Sequence, residues 1–337
     1  MTPARITIHA SQFPGQVRRD LIESLRSRKV NHKFHYDSLK QTQKWLALHQ
    51  AYSPSRTDAD CAAAYDRSFE AAAKALSTPG VRLIGLGCGG GQKDTRLIQL
   101  LRQGGKEVFY IPSDVSASMV LVARETALAV IPDDHCFPLV CDLATADDLP
   151  SVLDQAPFAP PSPRAPDCAR LLTFFGMIPN FEPQLILPRL AALLGSGDRL
   201  LFSANLAPGP DYAAGARRIL PLYDNALTRD WLMTFLLDLG VEKNEGDLRF
   251  EIEDDPSGSG LKRVGSHFHF SRAAAIHVDA ERFDFQPGES IRLFFSYRHT
   301  PGLVRSLFEA HGMRVLAQWI AQSEEEGVFL ATRMEAS

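Results

Sequence analysis

The stretch V81-RLIGLGCGGGQKDTRLIQL-L101 decides how the chain is read: "VRLIGLG" (81–87) is apolar and β-branched, a glycine cluster follows at 89–91, and "KDTRLIQLLRQ" (93–103) carries helical periodicity. A buried strand that turns on glycines into a helix leaves the helix N-terminus and bare backbone facing whatever lies at the end of the strand. Downstream the same alternation continues through "EVFYIPSD" (107–114), "ASMVLVARETAL" (117–128), "CFPLVCDL" (136–143), "ARLLTFFGM" (169–177), "EPQLILPRLAALL" (182–194) and "DRLLFSANL" (198–206). Strands that alternate with helices predict an α/β fold, a Rossmann-like parallel sheet with helices on both faces. Helical "PGLVRSLFEAHG" and the strand-like "MRVLAQWIA" and "GVFLATRM" close the chain, the last two as an antiparallel addition to the sheet.

Two regions break the rhythm. Residues 1–60 lack it, and residues 206–296 hold a helical stretch, "RRILPLYDNALTRDWLMTFLLDLG", then the β-like "DLRFEIEDD", "VGSHFHFSR", "AAIHV" and "SIRLFFSY". The expected organisation is therefore a core of residues 61–205 and 297–337, with a second α+β lobe of residues 1–60 and 206–296 that binds substrate over the open end of the sheet. "EDDPSGSGLKR" reads as a hairpin loop and "APPSPRAPD" (159–167) as a surface connection.

The 337 residues are 45% apolar with a formal net charge of −4. That composition supports a normal core and provides no field for a polyanion, so nucleic acid is not an expected partner. No apolar run reaches the length of a bilayer span and no apolar leader opens the chain, so a cytoplasmic protein without membrane contact is expected, as monomer or homodimer. Five cysteines without a C-x-x-C pair read as reduced structural thiols. His267 and His269 share one face of a strand but have no third ligand nearby in sequence, so no metal is expected.

The glycine loop itself selects among cofactors. A phosphate-cradling loop needs glycine before its lysine and Ser or Thr after it, where this chain has Gln92 and Asp94 around Lys93. A dinucleotide fingerprint starting at Gly87 needs glycine at 92, again Gln92, which weakens a nicotinamide reading without excluding it. The pattern Gly87-x-Gly89-x-Gly91 suits S-adenosylmethionine, which carries no pyrophosphate. Asp114 ends the second strand, where a carboxylate accepts both ribose hydroxyls, and Asp142 ends the third, beside the expected adenine amino group. Asp is also a common helix N-cap at such positions. The loop and both acids together favour S-adenosylmethionine.

In order, "KFHYDSLKQTQKW", "AYSPSRTD", "GLGCGGGQKDTRL", "IPSDVSAS", "FFGMIPNFEP", "LYDNA" and "FFSYRHTPGLVRSLFEAHGMRVLAQW" resemble the landmarks of the histidine Nα-methyltransferases of ergothioneine biosynthesis and the related fungal methyltransferases of prenylated tryptophan. The resemblance spans residues 33–333. It implies cofactor contacts at Gly87, Lys93, Asp114 and Asp142, to which the glycine pattern itself adds Gly89. It also implies that Tyr36 lies near cofactor and substrate, that Asn180 holds the backbone groups of an amino acid, and that Tyr223 helps hold its carboxylate. Tyr36 and Asn180 are thereby the candidate catalytic residues, orienting the nitrogen lone pair.

Three departures stand out against the histidine enzymes: Ser53 in place of a second tyrosine, Phe294 in place of the glutamate that binds the imidazole two residues before Ser296, and Phe268 in place of a methionine. Loss of the carboxylate leaves an imidazole group unpaired at a cost of about 1–3 kcal/mol. Phenylalanines instead offer surface to an indole, phenyl or prenylated ring; the alternative is that they fill the core of the lobe. Arg292, His267, His269 and Arg298 lie near in sequence, and strand alternation lets only some of them face inward. The expected activity is S-adenosylmethionine-dependent methylation of the α-amine of a small amino acid or amino-acid-derived metabolite in secondary metabolism, with an aromatic or modified side chain rather than histidine. The alternatives are O- or N-methylation of an unrelated small metabolite and a catalytically silent cofactor-binding protein.

Overall fold

The computed structural model describes residues 4–155, 157–158 and 168–334. The expected surface connection at 159–167 lies outside the described residues. The chain forms strands β1 (Thr7–Ile8), β2 (Gly80–Leu86), β3 (Glu107–Asp114), β4 (Leu139–Val140), β5 (Cys168–Phe174) and β6 (Arg199–Asn205). Five further strands follow, β7 (Gly246–Asp254), β8 (Lys262–Phe270), β9 (Ala274–Val278), β10 (Glu281–Phe285) and β11 (Ser290–Arg298), before β12 (Met313–Ile320) and β13 (Glu326–Arg333).

One sheet of eight strands has the order β1-β4-β3-β2-β5-β6-β13-β12. Strands β1 to β6 pair in parallel, and β13 runs antiparallel to both β6 and β12. Every residue of β2 is buried, as a central parallel strand covered on both faces requires. The chain leaves β2 for β3 on one side while β5 lies on the other, so the glycine loop sits where the strand order reverses, the place where open α/β sheets bind ligands. This is the Rossmann-like sheet of class I methyltransferases. The stretch expected as a strand over 136–143 contributes only the two residues of β4, and the helical stretch at 217–240 is two helices, Tyr212–Tyr223 and Ala226–Asp238.

The inserted strands form a second, three-stranded antiparallel sheet, β11-β8-β7, and the hairpin β9-β10. One apolar cluster joins Leu25, Val30 and Phe34 of the N-terminal segment to Trp231, Leu236, Phe268 and Phe285 of the insertion. The Lys44 ammonium ties the helix Leu39–Tyr52 to Ala226–Asp238 through Thr234 Oγ1 (2.9 Å) and Asp230 (2.7 Å). This shared core supports the proposed lobe of residues 1–60 and 206–296, with one difference: Thr7–Ile8 adds an edge strand to the large sheet. No helix among the described residues is long and apolar enough to cross a membrane.

Gly91, N-cap of the helix Gln92–Gln103, has φ +73°, and a Cβ there would lie 2.7 Å from the Ala123 Cα. Gly105 has φ +77° with open space around it. Gly91→Ala therefore carries both backbone strain and a collision, about 2 kcal/mol or more in total, whereas Gly105→Ala carries the strain alone, about 1 kcal/mol. In thermal melts Gly91→Ala is expected to fall several degrees further than Gly105→Ala.

Candidate active site

The open end of the large sheet and the second lobe enclose a cavity of about 600 Å³. Its floor is the glycine loop. Gly87 and Gly89 both adopt positive φ, and a Cβ at Gly87 would stand 2.6 Å from Met177 Cγ, at Gly89 3.1 Å from the Trp45 ring. The loop thus presents backbone where any side chain would collide, which fits a cofactor that passes close under it. Asp114 lines the same cavity, its carboxylate held by the backbone N–H of Gly89 and of Ser116, each at 3.1 Å. Burial lifts its pKa to about 6 despite those bonds.

Lys93 projects from the first turn of the helix into a buried polar cluster. Its ammonium donates to Tyr65 Oη at 2.8 Å and lies 3.9 Å from Glu326 Oε1, while the Tyr65 hydroxyl bonds that same carboxylate. Burial lowers the Lys93 pKa and the Glu326 charge opposes the shift. Sequence reading missed Glu326 because "SEEEG" looks like a solvated turn; its neighbours in space, Tyr65 and Lys93, come from two helices far upstream. Asp142 is placed differently from the expectation. Its flanking residues Cys141 and Leu143 line the cavity, but its own carboxylate is buried behind them, 3.4 Å from the Lys33 ammonium and bonded by the Ala144 N–H at 2.9 Å. Lys33, buried and bridging Asp20 and Asp142, lines the cavity and was also missed.

Tyr36, Ser53, Asn180, Tyr223, Phe294 and Ser296 all line this one cavity, although they come from five separate segments. Tyr36 follows the short turn His32–His35 and packs against Trp45 and Trp231, ring centroids 5.9 and 5.5 Å away. Its pKa is driven upward by burial and then by the Asp114 charge, so its phenol stays protonated. Asn180 ends the turn Ile178–Asn180 beyond β5. Tyr223 Oη accepts from Arg298 Nη2 at 2.7 Å and from Asn205 Nδ2 at 3.3 Å, and it shares a hydrogen bond of 2.8 Å with Ser296 Oγ.

The face of β11 that meets the cavity is set by a bulge. Arg292 pairs with His267 but Phe294 with Ser266, so Leu293 is an extra residue. Directly opposed residues share a face. Beyond the bulge Phe294, Ser296 and Arg298 share one face, while Arg292, His267, His269 and Arg263 share the other. Arg298 therefore reaches the cavity; His267, His269 and Arg292 do not line it. His267 instead bonds Glu253, which Arg263 also engages at 2.8 Å.

Phe268 corrects the sequence reading. It lies opposite Ile291 and Leu248, on the cavity side of the bulge but deeper in the lobe, is 1% exposed, and packs its ring 5.0 Å from Phe270. It fills the core and is absent from the cavity wall. Phe294 is at the wall, its ring 5.7 Å from Trp231 and 6.3 Å from Tyr223.

If Asp114 receives the ribose, as proposed, Asp114→Ala removes two charge-assisted hydrogen bonds and weakens S-adenosylmethionine by about 100-fold or more in calorimetry. Unchanged affinity would remove the assignment. The ionised carboxylate, present above about pH 6 in the free protein, is lost as pH falls, so affinity for the cofactor should decline from pH 7 to pH 5 in the wild type and not in Asp114→Asn.

A family model described as histidine-specific methyltransferase, SAM-dependent, matches residues 17–333. The N-methyltransferase imqF of Aspergillus flavus is 27% identical over 258 residues, which cover 74% of this chain and 66% of that protein, slightly under two thirds of its length. Solved structures similar to the chain include an S-adenosylmethionine-dependent methyltransferase from Clostridium acetobutylicum (TM-score 0.44, 13% identity, 87% of this chain and 99% of that one). Another is the magnesium protoporphyrin IX methyltransferase of Synechocystis with bound SAH (TM-score 0.45, 12% identity, 90% and 97%). With strand order, glycine cradle and a family match over nearly the whole chain in agreement, the protein belongs to the SAM-dependent, histidine-specific methyltransferase family and is a methyltransferase that uses S-adenosylmethionine.

Proposed function

We propose that the protein methylates the α-amine of a small amino acid, or a metabolite derived from one, whose side chain is aromatic or modified rather than the imidazole of histidine. The observation that carries this reading is Phe294 at the cavity wall, its ring near Trp231 and Tyr223, with Tyr36 and Trp45 following Trp231 in the same wall, where a histidine-binding pocket would need a polar partner for each ring nitrogen. The N-methyltransferase name of the fungal relative supports nitrogen as the acceptor. The family description names histidine, and Phe294 in the cavity wall favours a less polar side chain.

When bound, S-adenosylmethionine supplies a methyl group on a sulfonium, a leaving group that needs little acid assistance. The residues of the chain are then left to position the amine and exclude water. Tyr36, protonated at neutral pH, accepts a hydrogen bond from one N–H of the amine, which fixes the lone-pair direction without removing a proton. The side-chain amide of Asn180 offers both a donor and an acceptor to the head group. A free α-amine with a pKa of about 8–9 gives up its proton to water before the methyl transfer, and a desolvated, aromatic cavity favours the neutral form. Of the carboxylates in the wall, Asp94 accepts from Tyr110 and Thr173, Glu326 from Tyr65, and Asp114 from the N–H groups of Gly89 and Ser116. Orientation, not a dedicated base, is the proposed source of rate.

Mass spectrometry of the protein incubated with S-adenosylmethionine and a pool of histidine, tryptophan, tyrosine, phenylalanine and their common modified forms should show mass gains in methyl units on an aromatic member. Gain on histidine alone would overturn the side-chain reading, and no gain would overturn the amino-acid reading. Phe294→Glu should move preference toward histidine, an unaltered profile showing that this position does not face the side chain. Tyr36→Phe should lower kcat about tenfold, the worth of one orienting hydrogen bond, with little change in cofactor affinity.

A further inference from the structure

No side-chain hydrogen bond holds Asn180 among the described residues, so its place at the cavity wall is set by the turn that carries it. That turn is anchored at both ends. At its start the Gly176 N–H donates to Ser203 Oγ of β6 at 2.8 Å, and Ile178 is buried in the core of the large sheet. At its end stands Glu182, N-cap of the helix Pro183–Leu193, whose carboxylate makes no capping bond. Helices favour Ser, Thr, Asp or Asn at this position because a short side chain reaches back to the first N–H groups. Glu182 reaches away from its helix instead, across the boundary between core and lobe. There Arg263 Nη1 of β8 donates to its carboxylate at 3.2 Å, and Tyr297 Oη of β11 donates to it as well. Both partners are fixed in their turn. Arg263 and Tyr297 are directly opposed on their strands and are 5% and 0% exposed. Arg263 also engages Glu253 at 2.8 Å, and Tyr297 Oη lies 2.8 Å from Asp255. Burial, and then the carboxylates, drive the Tyr297 pKa upward, so its hydroxyl stays a donor.

The segment therefore straddles β11. Asn180 lines the cavity with Phe294 and Ser296, whereas Glu182 grips Tyr297, which strand alternation places on the opposite face. We propose that Glu182 is a positioning residue for methyl transfer: by clamping the Ile178–Asn180 turn to the back of β11 it sets Asn180 against Phe294 and Ser296 on the front, and so fixes the amine against the methyl donor. Glu182 does not line the cavity, and its effect passes through Asn180. The inference rests on the reading of Asn180 as a head-group residue given above and adds the support on which that residue depends. The clamp is a charged pair with a second hydrogen bond to a buried hydroxyl, a stronger tie than a neutral bond. A displacement of about 1 Å in an orienting group is enough to slow a reaction about 100-fold.

The test takes the amino acid that the wild type methylates in the mass-spectrometric pool and compares kcat, KM and calorimetric affinity for S-adenosylmethionine among variants of the full chain. Glu182→Ala should lower kcat about 10- to 100-fold, with KM and cofactor affinity within about threefold of the wild type. Glu182→Gln, which keeps an acceptor for Tyr297 and Arg263, should recover most of that loss. The deciding readout is a double-mutant cycle: added to Asn180→Ala, Glu182→Ala should cost less than about twofold further, which a merely structural role would not produce. If Glu182→Ala does not fold, the same cycle is run with Tyr297→Phe, which deletes one hydroxyl and keeps the ring, and which should lower kcat in the same way but less. Losses that multiply in the double variant, or a folded single variant within about twofold of the wild-type kcat, overturn the inference and leave the amino-acid reading intact. Methylation of no amino acid in the pool by the wild type, with cofactor bound, overturns that reading and this inference with it.

Discussion

The carboxylate of Asp94 holds the cofactor end of the sheet together. It is 3% exposed in the first turn of the helix Gln92–Gln103 and accepts from Tyr110 Oη on β3 at 2.7 Å and from Thr173 Oγ1 on β5 at 2.8 Å. One side chain thus ties the helix to the two strands that flank β2, across the point where the sheet changes direction. The approach is so close that a Cβ at Gly85 would lie 2.4 Å from Asp94 Oδ2. Gly85 is therefore needed for packing within the strand, separately from the loop glycines that need positive φ. Burial raises the Asp94 pKa to about 6 while both hydroxyl donors oppose the shift, so the group favours ionisation only because its donors are in place.

Everything at the cavity floor depends on that tie. With the helix N-terminus fixed, Gly89 can offer its N–H to Asp114, and Lys93, one residue before Asp94, is directed away from the strands toward Tyr65 and Glu326. The acids expected at the ends of the second and third strands then part company. Asp114 ends a strand of eight residues and stays in the cavity. Asp142 follows a strand of only two, and the chain folds back so that its carboxylate pairs with Lys33 of the N-terminal segment.

What the sequence showed and what it concealed follow from how local each signal is. The strands and helices of the sheet are written in short-range periodicity, and the glycine loop in a spacing of five residues, so both were readable. Tyr36, Asn180, Tyr223 and Phe294 were readable through motif resemblance, which carries position but not depth. Phe268 and Phe294 look alike in sequence; only the pairing of β8 with β11 shows that one packs opposite Ile291 in the lobe core and the other sits past the bulge at the cavity wall. Trp45, Trp231, Lys33 and Glu326 reach the cavity by long-range contacts for which no local pattern exists.

The bulge at Leu293 also sorts the charges of the lobe. With strict alternation Arg292 would share a face with Phe294, Ser296 and Arg298, and two guanidinium groups would point at the cavity. The extra residue reverses the parity, sending Arg292 to the outer face, where its guanidinium lies 4.7 Å from the centre of the Phe295 ring on the side that carries Arg263, Glu253 and His267. On that face positive and negative groups neutralise one another. On the cavity face a single arginine stands among aromatic rings and hydroxyls, and its charge has no protein partner among the described residues to spend itself on. A one-residue irregularity thus decides which arginine of β11 stands on the cavity face, beside Tyr223 and on the same side as Phe294 and Ser296.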